Sequence, residues 1–399
     1  MSLRNDPLSM RDATLPQETS ASLRLPPRLG FRARLLPGFA MAAILMAGLG
    51  SSAYTLVYKH SDVPVADLTW DKFVDGDTTS GINRVLQKQN PFSDALVTAD
   101  RVVNWLAVGD LGPRVRQGCP GWLFLADELT LYKGAGANFA QRMKIVAQVS
   151  DFLKRRNVPL VVVPVPDKSR VEAQHLCGLD RSASLGDRFT RMNAALSRVG
   201  VRTVDILSPL AALDGERYYR TDTHWNERGA KRSAESVAAA VQQATLAPAQ
   251  QAEFRVKSEP AHERVGDLIR LAGLDQVPLP LRPKGDTEAA TAIEQGAKGD
   301  VGILDDVAAP ETVLLGTSYS RQANFAGFLG MALGAPIENM ALDGGGLANA
   351  AMAYFDKPGF SDTPPRLVVW EIPERFLEEP VAASDAAWAE SLAGRTHRK

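Results

Sequence analysis

Asp222 and His224 stand two positions apart in TyrTyrArgThrAspThrHisTrpAsn, Tyr218–Asn226, in a chain with five histidines. A carboxylate at that spacing can bond one imidazole nitrogen and leave the other free to carry a proton. The hydroxyl on which such a base acts is offered by Ser318, in ValLeuLeuGlyThrSerTyrSer, Val313–Ser320, just past an apolar run where a buried strand would stop and a helix begin. A serine is a poor nucleophile until a base takes its proton, and a positioned imidazole contributes about 10²- to 10⁴-fold. Asp222 would hold the tautomer and stabilise the imidazolium formed as the serine attacks an acyl carbon. Backbone N–H groups of the turn after Ser318, with the side-chain amide of Asn324, are candidates to receive the oxyanion. Tyr319 and Arg321 beside the serine, and Trp225 and Tyr219 beside the Asp–His pair, are candidates for substrate contact. Each residue also has a plainer reading. Ser318 and Asp222 could cap turns, His224 could simply pack, and Trp225 and Tyr219 fit a core as readily as a sugar-stacking surface.

The elements that would position these groups alternate. GlyTrpLeuPheLeu from Gly121 and ProLeuValValValProValPro from Pro159 read as strands, with a helix over 138–156 between them. A helix near 187–199 leads to a strand at ValArgThrValAspIle, and the AspThrHisTrp loop precedes a helix capped by Asn226 and running to Gln243. From Glu311 the pattern resumes: ThrValLeuLeuGly as strand, a helix after Tyr319, another over the GlyGlyGlyLeuAlaAsn segment, and ArgLeuValValTrpGlu as the last strand. Such alternation predicts an α/β fold, a parallel sheet with helices on both faces. Residues 245–310 read as surface loops with one short helix at ValGlyAspLeuIleArg, and no chemistry is expected there.

The chain has 399 residues and a net charge of -1, so it is long enough for a real core and lacks the positive charge on which nucleic-acid binding is built. From Leu35 to Tyr58 it runs without a charge, close to the roughly 20 residues a helix needs to cross a bilayer. Arg24, Arg28, Arg32 and Arg34 precede that segment, which by the positive-inside tendency leaves a short cytoplasmic tail and a large domain outside. A cleaved signal peptide is the rival reading, since GlyLeuGlySerSerAla offers small residues. Cys119 and Cys177 are the two cysteines; outside the cytoplasm a disulfide between them is expected, with a buried free thiol as the alternative. With no third or fourth ligand at metal spacing, no metal is expected.

Taken together, the motifs resemble those of the extracytoplasmic SGNH-hydrolase-like acyltransferases that O-acetylate bacterial exopolysaccharides, the alginate O-acetyltransferase group. The likeness is carried by GlyTrpLeuPheLeu, ValProValProAspLys ending at Lys168, TyrArgThrAspThrHisTrpAsn, GlyThrSerTyrSer, and ValValTrpGluIleProGluArgPhe, Val368–Phe376. AspThrHisTrp and GlyThrSerTyrSer in that order are the specific pair, and the others mark the fold. The resemblance implies an SGNH-hydrolase-like (flavodoxin-like) sheet with a circularly permuted motif order, because ordinary SGNH esterases have the serine early and the Asp-x-x-His last. It also implies that Ser318 is the nucleophile, His224 the base and Asp222 its partner.

The expected organisation is a disordered cytoplasmic tail over 1–34, a transmembrane anchor over 35–58, a connector over 59–98, the acyltransferase domain over 99–378, and a flexible tail over 379–399. The expected activity is transfer of an acetyl group through an acyl-serine onto exopolysaccharide hydroxyls in the periplasm, by a single-pass inner-membrane protein. The resemblance implies an acetyl donor supplied by a multispanning membrane acyltransferase. No cofactor and no nucleic acid enter. A carbohydrate acetyl esterase with the same three residues, or a non-catalytic component of a polysaccharide export complex, are the alternatives.

Overall fold

The computed structural model describes residues 31–58, 69–90, 92–296 and 309–394. It divides into two compact units, Met1–Asp94 and Ala95–Lys399. The expected tail over 1–34 falls mostly outside the described residues, as does the 297–308 part of the expected loops.

In the first unit the helix Phe31–Tyr58 contains Met41–Tyr58, 18 uncharged residues of which 6% are buried. It is the one helix among the described residues long and apolar enough, by length and composition, to cross a membrane. The connector expected over 59–98 is not extended where it is described. The Thr69 hydroxyl accepts from Lys72 N at 3.4 Å and starts a helix at Trp70–Val74. A second helix, Asp77–Gln89, buries Thr78 and Val85, and a third spans Ser93–Val108. Acidic residues in each first turn, Asp71, Asp77 and Asp94, favour those starts through the helix dipole.

The second unit carries eleven described strands. These are β1 Val115–Gln117, β2 Leu123–Leu125, β3 Leu160–Val165, β4 Arg202–Thr203, β5 Glu253–Ser258, β6 His262–Arg264, β7 Asp286–Glu288, β8 Thr291–Gly296, β9 Thr312–Leu315, β10 Ile337–Asn339 and β11 Leu367–Pro373. Five form a parallel sheet in the order β10-β9-β11-β3-β4. Its three central strands, β9, β11 and β3, are buried on both faces. Leu160, Val162, Val313, Leu315, Val368 and Trp370 point into one core with helices Ala135–Lys154 and Arg188–Arg198. Their neighbours Val161, Val163, Leu314, Leu367 and Val369 point into the other, under helices Glu227–Gln243 and Phe325–Leu333. Side chains alternate along a strand, so continuous apolar runs require cover on both sides, and both sides are covered.

β1 and β2 pair antiparallel with each other and stay outside the main sheet, although GlyTrpLeuPheLeu reads as one of its strands. Two further departures bear on the site. The stretch read as loops over 245–310 contains two antiparallel pairs, β5 with β8 and β6 with β7. The segment expected as a flexible tail over 379–399 forms the helix Ala383–Ser391, with Trp388, Ala389 and Leu392 buried in the first core. Arg142 ties down its approach by donating to the carbonyls of Glu379 and Pro380, the latter at 3.0 Å. Residues 395–399 lie outside the described residues.

Cys119 and Cys177 are joined by a disulfide. At the carboxyl ends of β3 and β11 a buried ion cluster fastens the two strands' exits together. Asp167 pairs with Arg188, and Glu374 accepts from Arg170 Nε at 2.8 Å while Asp167 N donates to it at 3.2 Å. Ligands of open α/β sheets gather at this end.

Candidate active site

Ser318 follows β9 at the carboxyl edge of the sheet. Of Thr312–Ser320 it is the one residue that solvent reaches; the others are buried. The turn that lifts it out is held from below by Glu371 of β11, whose carboxylate accepts Thr317 N at 2.7 Å, Thr317 Oγ1 at 3.1 Å and Ser320 Oγ at 3.0 Å. Burial pushes the Glu371 carboxyl above its ordinary range against the hydrogen bonds it accepts. Gly316 leaves the room for it, since a Cβ there would lie 2.5 Å from Glu371 Oε2.

His224 Nε2 lies 2.7 Å from Ser318 Oγ, and His224 Nδ1 lies 2.6 Å from Asp222 Oδ1. The same Asp222 oxygen accepts the backbone N–H of His224 at 3.0 Å. This network assigns the tautomer: Nδ1–H donates to Asp222 and Nε2 accepts from the serine. Burial works against charge on both partners, raising the Asp222 pKa and lowering that of His224. The attraction between them and the hydrogen bond they share outweigh it, so Asp222 is held below the carboxylate range and His224 above the ordinary imidazole value. A line of this kind can draw a proton off a hydroxyl and park it as an imidazolium.

The loop carrying Asp222 and His224 is anchored from several elements. Lys168, after β3, is fully buried and donates to the carbonyls of Leu123 at 2.6 Å, Arg220 at 2.9 Å and Asp222 at 2.9 Å. Asp286 of β7 accepts Arg220 N at 2.8 Å and Thr221 N at 3.0 Å. Arg264 of β6 donates from Nη2 to Asp222 Oδ2 and to Gln322 Oε1, both at 3.1 Å. Asp267 N donates to Asp222 Oδ2 at 3.1 Å, and the Asp267 carboxylate accepts Thr223 N at 2.7 Å and Thr223 Oγ1 at 2.5 Å. Gly266 permits this approach, because a Cβ there would lie 2.0 Å from the Thr221 carbonyl. The segment in which no chemistry was expected therefore supplies the outer partners of Asp222. The signal in the sequence is the glycine of ValGlyAsp, which marks a close backbone approach.

Asp222, His224 and Asp267 offer atoms within 4.8 Å of one another, a spacing a cation could share. Yet both Asp222 oxygens accept N–H donors, both Asp267 oxygens accept from Thr223, and the Arg264 guanidinium already sits on the carboxylate. The donor set reads as a hydrogen-bonded frame around an imidazole.

The remaining expectations fare differently. Both amide hydrogens of Asn324 are engaged, one by Glu227 Oε1 at 2.9 Å and one by the Thr291 carbonyl, and its backbone is left-handed with φ 55°. It does not face the serine as an oxyanion donor. The amides of the turn are also committed, Tyr319 N to Thr317 Oγ1 at 3.3 Å and Ser320 N to Thr317 O at 3.1 Å. Ser318–Ser320 form a single 3-10 turn, and the α-helix expected after Tyr319 starts at Phe325.

Tyr319 is buried, not substrate-facing. Its hydroxyl donates to the Thr223 carbonyl at 2.8 Å and its ring meets His224 edge-on at 4.8 Å. Trp225 is fully buried against Tyr319 and Phe325. Tyr219 is buried too, donating to Glu288, with Arg264 over its ring at 4.5 Å. Arg321 alone of this group is open, half exposed and 3.3 Å from Asp343.

A family profile described as "SGNH hydrolase-like domain, acetyltransferase AlgX" matches residues 115–374. The chain is 35% identical over 301 residues to a Pseudomonas aeruginosa protein named "Probable alginate O-acetylase AlgJ", covering 70% of this chain and 75% of that one. Among solved structures it is similar to the O-acetyltransferase domain of Pseudomonas putida AlgJ, with TM-score 0.62 and 28% identity over 71% of this chain and 99% of that one. It is also similar to Pseudomonas aeruginosa AlgX, with TM-score 0.50 and 28% identity over 65% of this chain and 61% of that one.

Proposed function

The chain belongs to the SGNH hydrolase-like AlgX acetyltransferase family, and from that premise we propose that it is an O-acetyltransferase whose acceptor is a bacterial exopolysaccharide. The observation that carries the reading is the continuous line from Asp222 through His224 to Ser318 at the carboxyl edge of the sheet, with hydrogen bonds of 2.6 and 2.7 Å.

In the first half-reaction Ser318 Oγ bonds to the acetyl carbon while His224 Nε2 takes its proton and passes it to the departing donor group. In the second, a sugar hydroxyl gives its proton to Nε2 and attacks the acetyl-serine, and Ser318 leaves with that proton. Asp222 holds the tautomer throughout and faces the imidazolium in both steps. The apolar helix, with the arginines that precede it, supports a single-pass anchor that leaves the catalytic unit in the periplasm. There it receives acetyl groups from a multispanning membrane acyltransferase.

The test is product analysis. The full chain in detergent is given an activated acetyl ester and defined oligosaccharides, alginate fragments among them, and an acetylated sugar is the expected product. Release of acetate at a sugar-independent rate, with no acetylated sugar, would assign the site to an esterase instead.

The rate of transfer is further expected to rise with pH. The neutral imidazole is the active base, and Asp222 lifts its pKa despite burial. The half-maximal point therefore lies above the ordinary histidine value of about 6.5. In Asp222→Asn that point moves to lower pH as the plateau drops, and a profile that keeps the parent's midpoint would detach His224 from the reaction.

A further inference from the structure

His224 has a second acidic neighbour. Asp267 Oδ2 lies 3.5 Å from His224 Nδ1, on the same side as Asp222. Its position is fixed from both directions. Thr223, the residue between Asp222 and His224, gives it a backbone and a hydroxyl hydrogen bond, and its own N–H returns to Asp222 Oδ2. Its side chain keeps 28% exposure, so it reaches solvent while Asp222 does not.

The charges facing the ring are countable by element. Asp222 comes from the ring's own loop, Arg264 from β6, Asp267 from the start of the helix Asp267–Leu271, and Arg375 from the exit of β11, where its guanidinium stands 5.4 Å from the Tyr319 ring. Lys168, after β3, is bonded to the Asp222 carbonyl. The Arg264 guanidinium bonds the outer oxygen of Asp222 and offsets part of the negative charge that Asp222 presents to the ring. Asp267 makes no ion pair with Arg264 among the described residues; burial and the Asp222 charge raise its pKa, and the His224 ring and the Thr223 hydrogen bonds oppose that rise.

We propose that Asp267 is a positioning residue for the acetyl-transfer reaction, a second carboxylate that stabilises the His224 imidazolium and sets, with Asp222, the pH at which the base becomes available. The proposal rests on the reading of His224 as the base. In each half-reaction a positive charge develops on the ring, and a carboxylate fixed 3.5 Å from Nδ1 acts on that charge without taking the proton. The oxygen bonded to Nδ1 stays that of Asp222.

Two substitutions separate charge from scaffold. Asp267→Asn keeps an oxygen for the Thr223 N–H and removes the charge. Thr223→Val removes the hydroxyl bond to Asp267, together with the Oγ1 that stands 3.3 Å from His224 Nδ1, and leaves the charge. Transfer rates are measured against pH for the parent and both variants, and histidine-selective ¹⁵N NMR titration of the full chain in detergent follows the His224 resonance without any need for activity. Asp267→Asn is expected to move the acid limb and the His224 titration to lower pH together, and to lower the plateau rate about 10- to 100-fold, the scale of one charge-assisted contact. Thr223→Val is expected to leave the midpoint in place.

A His224 titration in Asp267→Asn that coincides with the parent overturns the proposal, as does an equal midpoint shift in Thr223→Val. If the parent forms no acetylated product at all, the transferase reading fails, and the NMR titration still decides whether Asp267 acts on the ring.

Discussion

Ser318→Ala is expected to abolish the acetyl-enzyme and lower transfer by about 10⁴- to 10⁶-fold, while the protein stays folded. The size follows from the lack of a substitute. The neighbouring hydroxyls are Thr317 and Ser320, both buried and both bonded to Glu371, and neither meets an imidazole. The Tyr319 hydroxyl is spent on the Thr223 carbonyl, and burial raises its pKa well above the ordinary phenol value. Ser318 is the hydroxyl that both reaches solvent and bonds His224 Nε2. Removing it frees Nε2 to water and disturbs no other contact of the turn, so thermal stability should match the parent. The measurement is intact mass of the full chain after incubation with an activated acetyl ester. An alanine variant that takes up the label as readily as the parent would end the acyl-serine mechanism.

How much of this was legible depended on whether a residue's role is local. Asp222, His224 and Ser318 are chemically distinctive types placed at the ends of recognisable elements, and the β-branched runs at β3 and β11 announce strands covered on both faces. The supports of the site are not local. Arg264, Asp267 and Asp286 act 42 to 66 positions away from their partners, from two three-residue strands and the five-residue helix Asp267–Leu271, too short to show a period. Asn324 looked like a free amide beside a serine, but Glu227 and Thr291, which consume it, come from elsewhere in the chain. The segment after Glu378 is rich in alanine and carries a single tryptophan, too little apolar surface to draw a helical stripe, yet Trp388 and Leu392 fill the first core. Aromatics near the pair were equally compatible with core and with substrate, and burial assigned Trp225, Tyr219 and Tyr319 to the interior.

Lys168→Met is expected to destabilise the protein by about 2–4 kcal/mol and to loosen the Asp222 loop, because it strips three carbonyls of a donor inside the fold. Methionine fills much of the volume, so the loss is of hydrogen bonds more than of packing. The lysine itself is held at a cost. Burial pushes its pKa down to about 8 against the pull of Glu128, Asp286, Asp222 and Asp267. Its folded pKa is therefore below the unfolded value of about 10.4, and the unfolded chain binds the proton more tightly. The desolvation cost is present in full below about pH 8 and is relieved as pH rises toward about 10.4. Methionine has no such term. The stability gap between parent and variant, read from denaturant unfolding at a series of pH values, should widen across that window. A gap that is flat or narrows would show that Lys168 does not titrate in the folded protein as its burial demands. A variant as stable as the parent at neutral pH would show that the three carbonyls find other donors, and that the Asp222 loop is set by Asp286 and Asp267 without the lysine.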